Sequence, residues 1–226
     1  MFRRLTMSKD EMSHDHITGD FQISQKPYWK LLLQSLFLIC ILFVAESMVI
    51  FLVEKPKYFW IAIVGVIIAF LILKLSKLKL FQFSRITKKQ WLIIIIGFIL
   101  ANGADYIYFE FMPTTGNEKE LEESYRNVPL YLQLIAIGIL GPILEEIIFR
   151  GLLIKGIFRG APIVGGIVSV ILFAGAHGPS NIGEWFIYGF SGFIFVIAYL
   201  TTKRLEIPII IHMLGNILAT FQNYFW

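Results

Sequence analysis

Residues 29–53 read WKLLLQSLFLICILFVAESMVIFLV, 25 residues in which Lys30 and Glu46 carry the only charges. As an α-helix, at about 1.5 Å per residue, the stretch would rise roughly 37 Å and cover a hydrocarbon core of about 30 Å. A surface helix of a soluble domain would carry a charged face along its length. Backbone amides in lipid find no water to bond, so an apolar run of this kind must be helical. Further runs follow at 58–75, 91–110, 129–154, 162–178, 184–202 and 206–223, the 91–110 run interrupted by Asn102 and Asp105. The reading is an all-α polytopic membrane protein with about seven transmembrane helices.

Composition points the same way. Of the 226 residues, 57% are hydrophobic and only 16% charged, against about 25% charged in an ordinary soluble domain. A single cysteine, Cys40, excludes an internal disulfide framework and a cysteine-based zinc site. No internal repeat supports an inverted-repeat transporter. Residues 1–28 are polar and hold no apolar core of signal-peptide type. They are expected to form a cytoplasmic tail, with 29–226 as one membrane domain. His14 and His16 stand in that tail as HDH and are read as solvated rather than as a metal site.

The net charge of +4 could suggest nucleic acid, but its distribution describes a bilayer. With the N-terminus inside, the cytoplasmic segments collect 15 of the 20 basic residues. Among them are Lys74, Lys77, Lys79, Arg85, Lys88, Lys89, Lys155, Arg159, Lys203 and Arg204. The outer segments hold four: Lys55, Lys57, Lys119 and Arg126. That is the positive-inside pattern, and no nucleic-acid partner is expected. The outer segment 111–128 is acidic, with Glu118, Glu120, Glu122 and Glu123.

Ionisable groups inside spans are costly and are functional candidates by default. Glu46 and Asp105 each stand alone in a helix and are read as structural hydrogen-bonding groups. The others gather in three helices. In GPILEEIIFRG, 141–151, Glu146 and Arg150 are four residues apart in the favourable order for a same-face ion pair. Glu145 lies about 100° round the helix, without an in-helix cation. In FAGAH, Phe173 and His177 are four apart, and Ser169, Gly165 and Ala161 continue the stripe. Small residues at that spacing let another helix approach closely. In HMLGN, His212 and Asn216 share one face of the last helix.

Each group taken alone has a structural reading: a polar knot around Arg150, a packed histidine, a hydrogen-bonded stripe between helices. Together they make a hydrolytic set. A glutamate can take a proton from water while a histidine holds that water. A second histidine and an asparagine can donate to a tetrahedral oxyanion. Glu145, His177 and His212 would also serve as zinc ligands with one position open to water, although no His-Glu-x-x-His motif is present.

EEIIFR (Glu145, Glu146, Arg150), Phe173 to His177, and His212 to Asn216 occur in the order characteristic of one family. A glycine-bearing helix, YGFSGFIF with Gly189 and Gly192, lies between the last two. Residues 129–220 resemble the CPBP intramembrane proteases, named for CAAX processing and bacteriocin processing and also called the Abi family. The resemblance implies hydrolysis of peptide bonds within or at the bilayer. It makes Glu145, His177, His212 and Asn216 catalytic and Glu146 with Arg150 a supporting ion pair. It favours a glutamate-activated water without a cofactor, with zinc on Glu145, His177 and His212 as the alternative. The implied partners are membrane lipid and a membrane-associated peptide or protein substrate.

Richness in Ile, Phe and Lys suits an A+T-rich bacterial genome, so the expected location is a bacterial cell membrane. A prenylated CAAX tail is not the expected substrate there. Bacteriocin self-immunity, peptide maturation and regulated proteolysis of membrane proteins are. The alternative class is a non-enzymatic membrane immunity or scaffold protein.

Overall fold

The computed structural model describes residues 23–225, so His14 and His16 lie outside the described residues. Among the described residues there are helices and no strand. The helices are α1 (Tyr28–Val53), α2 (Phe59–Leu75), α3 (Lys88–Phe111), α4 (Gly116–Tyr125), α5 (Leu130–Ile157), α6 (Pro162–Ala176), α7 (Ile182–Thr202) and α8 (Glu206–Phe225). Seven of them stand where the seven apolar runs were read.

By length and apolarity five can cross a membrane: α1, Pro56–Leu75 (α2 with its leading turn), α3, α5 and α7. Helix α6, at 15 residues, is shorter. Helix α8 has 20 residues but carries Glu206, His212, Asn216, Thr220, Gln222 and Asn223 along its length. The acidic segment read only as an outer loop contains α4, started by Thr115, whose hydroxyl accepts from the Glu118 amide. The signal was present in sequence, since a Thr three residues before a Glu is a helix start.

Helix α5 is the centre of the bundle. Every residue from Ile147 to Gly156 is buried, the mark of a helix surrounded on all sides. It packs against α1, α6 and α8, and α3 closes against α7 and α8. The outward faces of the peripheral helices carry exposed Ile67, Leu71, Ile95 and Ile99, apolar surface that water would penalise and lipid accepts. The predicted small-residue seam is real. A Cβ on Gly165 would come within 2.7 Å of Phe158 Cβ and 3.3 Å of the Ile154 Cα, so only glycine lets α6 lie this close to α5.

Helix α5 is not a uniform α-helix. It widens to π-helical turns over Leu134–Leu140 and again over Ile147–Ile157, with an α-helical Gly141–Glu146 between them. Pro142 explains the first widening. It has no N–H and cannot follow the ordinary ladder. The Gly141 amide bonds to Ala136 O, five residues back. The next bond of that pattern, to Ile137 O, would need the N–H that Pro142 lacks.

The basic end of the bundle is tied together by long-range bonds. Glu206 accepts from the amides of Gln82 and Phe83. Arg204 donates to the carbonyls of Ser84 and Arg85. At the other end of α8, Asn223 donates to Glu118 of α4. The 82–85 segment and α4 therefore lie at opposite ends of a 20-residue helix.

Candidate active site

The chemistry-bearing residues meet where α5, α6, α7 and α8 converge. Glu146 is fully buried, and its Oε1 accepts from Arg150 Nη1 at 3.0 Å and from His212 Nδ1 at 3.1 Å. The i,i+4 pair is thus part of a triad that reaches a second helix. Arg150 is also fully buried, and its Nη2 donates to Gly192 O at 2.9 Å. Its guanidinium carbon lies 4.5 Å from the Phe173 ring centre and 5.3 Å from that of Phe195. Aromatic faces and a carboxylate together replace the water that a buried guanidinium gives up. Gly192 has no room for a side chain, because a Cβ there would meet Phe173 Cδ1 at 2.9 Å.

Phe173 joins the parts. Its ring touches those of Phe149, Phe195, His177 and His212. His212 stacks on Phe195 at 4.6 Å, and His177 stacks on Tyr188 at 4.4 Å. The second motif's histidine stands just past the end of α6, where Gly178 takes φ +61°. Glycine adopts that left-handed conformation without cost and ends the helix there.

The hydrogen bonds orient both imidazoles. His177 Nδ1 lies 2.8 Å from Phe173 O. A carbonyl only accepts, so this nitrogen carries the hydrogen and Nε2 is the free one. His212 Nδ1 faces the Glu146 carboxylate in the same way, and its Nε2 points toward Glu145, 3.9 Å from Oε2. Asn216 donates from Nδ2 to Ile137 O at 3.1 Å. That is the carbonyl left without a donor by Pro142, so the last motif repairs the break in the helix carrying the first. The second Nδ2 hydrogen remains for another acceptor.

Glu145, His177, His212 and Asn216 all line one cavity of about 1140 Å³. Glu145 is at its edge, with 17% of the side chain exposed, while Glu146 is sealed behind it. Glu46 and Asp105 also line this cavity. Glu46 was read as a helix-to-helix hydrogen-bonding group, and its carboxyl does lie in hydrogen-bonding contact with that of Glu145. Its place on the cavity wall was missed. The available signal was the cost of an ionisable group in a span; nothing in the linear spacing ties α1 to α5. Tyr188, the platform under His177, opens the stretch YGFSGFIF, which was singled out for its glycines and not for this tyrosine. Outside the spans, burial holds the Glu118 carboxyl above the usual carboxylate range. The Asn223 hydrogen bond opposes this and Glu122 adds to it.

Among the described residues no three His, Cys, Asp or Glu side chains converge closely enough to hold a metal ion. The 3.9 Å between His212 Nε2 and Glu145 Oε2 exceeds the roughly 3.3 Å that ligands about 2.0 Å from a tetrahedral zinc require.

Three helices bring together EEIIFR, the Phe173–His177 pair and the His212–Asn216 pair around one cavity. Residues 127–218 match the family model described as Type II CAAX prenyl endopeptidase Rce1-like. This segment is similar to that family. It runs from just before α5 into α8 and leaves Glu46 and Asp105 outside.

The chain is 36% identical over 107 residues to "Membrane-embedded CAAX protease MroQ" of Staphylococcus aureus (strain USA300), covering 44% of this chain and 42% of that protein. It is 30% identical over 118 residues to "Putative membrane peptidase YdiL" of Bacillus subtilis (strain 168), covering 52% and 47%. It is 27% identical over 169 residues to "UPF0177 protein YvdC" of Lactococcus lactis subsp. lactis (strain IL1403), covering 67% and 63%. The matched stretches thus span less than half the length of the first two relatives. No solved structure matches the chain.

Proposed function

We propose that this chain is an intramembrane endopeptidase that hydrolyses peptide bonds of membrane-associated peptides or proteins with a water activated by Glu145. The observation that carries the reading is the orientation of the two imidazoles. Each has its Nδ1 tied to an acceptor, and Glu145 lies at the edge of the cavity that both line. A purely structural polar knot has no need to leave the Nε2 atoms of both imidazoles without a hydrogen bond beside a large cavity.

In the proposed step, Glu145 takes one proton of the water and His177 Nε2 accepts a hydrogen bond from the other. The water oxygen bonds to the substrate carbonyl carbon, and the C=O π electrons move to the oxygen. That oxyanion meets the second Nδ2 hydrogen of Asn216 and, when His212 carries both protons, its Nε2–H. Collapse breaks the C–N bond, and Glu145 returns its proton to the leaving nitrogen. Glu146 and Arg150 hold His212 in place and touch no substrate. The resemblance to bacteriocin-processing proteins suggests short membrane peptides as substrates, in self-immunity or in maturation.

The test uses the purified chain in neutral-lipid nanodiscs and a library of quenched membrane-soluble peptides. Wild type should cleave, and Glu145→Gln and His177→Ala should lose at least about 10³-fold, as expected for a lost general base or a lost water-holding group. Activity should survive chelation. Cleavage unchanged by Glu145→Gln refutes the assignment, and activity lost on chelation and restored by zinc replaces it with a metal mechanism.

A further inference from the structure

His177 stands where its own helix no longer fixes it. It follows Ala176, the last residue of α6, and precedes Gly178 with its left-handed backbone. One hydrogen bond, from Nδ1 to Phe173 O at 2.8 Å, anchors the ring at a single atom. A single bond of that kind leaves the imidazole free to swing about the donor–acceptor line, and Nε2 swings with it. Two ring contacts remove this freedom. Phe173 meets the imidazole at a tilt of 55°, with centres 4.7 Å apart, whereas Tyr188 lies nearly parallel to it, at 22° and 4.4 Å. The parallel face is the one that fixes the plane of the ring.

Tyr188 is itself held from outside α7. Its hydroxyl lies 2.6 Å from the Thr115 hydroxyl, with the Asn117 side chain also in hydrogen-bonding contact. Thr115 is fully buried and caps α4. One turn before Tyr188, Glu184 is buried and accepts from the Gly116 amide at 3.3 Å. Its other oxygen accepts from the Ser180 amide at 2.7 Å. This carboxylate thus ties the start of α4 to the short loop that carries His177. A phenylalanine at 188 would offer the imidazole the same face. The tyrosine adds a hydroxyl that needs partners in a half-buried place, and both partners come from the first residues of the α4 segment.

We propose that Tyr188 is a positioning residue for the hydrolysis: its ring sets the plane of His177, and Thr115 at the start of α4 sets the tyrosine. The inference rests on the peptidase reading for the reaction, but the ring's orientation is measured without turnover. Tyr188 touches no reacting atom, and its effect passes through His177 Nε2 and the water held there.

The experiment uses the full-length chain in phosphatidylcholine nanodiscs with 13C,15N-labelled histidine. Magic-angle-spinning NMR reads the Cε1–H signal of His177, identified by its loss in His177→Ala. A proton over an aromatic face resonates upfield, so Tyr188→Leu should move this signal downfield, toward the ordinary histidine position. On the quenched peptides kcat should fall by about 10- to 100-fold, as for a misplaced catalytic group, with KM within about twofold. Tyr188→Phe keeps the face and loses the hydroxyl. It should leave the signal upfield and lower kcat by about 2- to 10-fold, the worth of one hydrogen bond. Thr115→Val should cost about as much as Tyr188→Phe, Thr115→Ser should recover that loss, and adding Thr115→Val to Tyr188→Phe should cost nothing further. An unmoved His177 signal in Tyr188→Leu, or a moved signal with kcat unchanged, overturns the proposal. So does a full additional loss from Thr115→Val in the Tyr188→Phe background, which would uncouple the two hydroxyls. A wild type that cleaves no peptide refutes the peptidase reading, while the NMR comparison still decides whether Tyr188 orients His177.

Discussion

Glu146→Gln separates the framework of this site from its chemistry. One oxygen, Glu146 Oε1, serves both Arg150 and His212, at 3.0 and 3.1 Å. Both side chains of the ion pair are fully buried. Removing the charge leaves a buried guanidinium with a neutral amide oxygen, a backbone carbonyl and aromatic faces as its direct partners. Breaking a buried pair in this way costs about 3–5 kcal/mol. At roughly 2–4 °C per kcal/mol for a chain of this size, the thermal midpoint should fall by about 6–20 °C. Glu145→Gln should lower it by less than about 3 °C, because that side chain sits at the edge of the cavity and has no in-helix cation. Replacing both partners, Glu146→Gln with Arg150→Met, should recover a large part of the loss, since the uncompensated charge is then gone. The assay is circular-dichroism melting in one nanodisc preparation. Equal midpoints for the two single glutamine variants, or a double variant no better than Glu146→Gln, would refute the argument that the buried triad holds the site together.

Three further outcomes follow from the geometry. Gly192→Ala places a Cβ against Phe173 Cδ1, and overpacking of this kind should cost about 1–3 kcal/mol, read as a lower melting midpoint with weakened hydrolysis. Asn216→Asp turns a donor into an acceptor opposite Ile137 O. It should cost more stability than Asn216→Ser, whose hydroxyl can still donate, and midpoints in the opposite order would refute the role of Asn216 in tying α8 to α5. Reporter fusions at Gln82 should read cytoplasmic and fusions at Glu118 external, because the two residues are tied to opposite ends of α8 and basic residues gather near the first.

The legibility of this molecule in its sequence follows the range of each interaction. Spans are local properties of composition, and the i,i+4 pair of Glu146 and Arg150 is local geometry, so both can be read residue by residue. The facing of Glu46 toward Glu145 spans about a hundred residues and depends on how α1 packs against α5. No periodicity in either helix encodes it. Asn216 shows a middle case. Its spacing from His212 marks a shared face, but its partner is set by Pro142, seventy-four residues earlier. Once the missing N–H of that proline is taken seriously, the orphan carbonyl of Ile137 becomes a demand that some donor must meet. A polar residue on a facing helix is the expected answer.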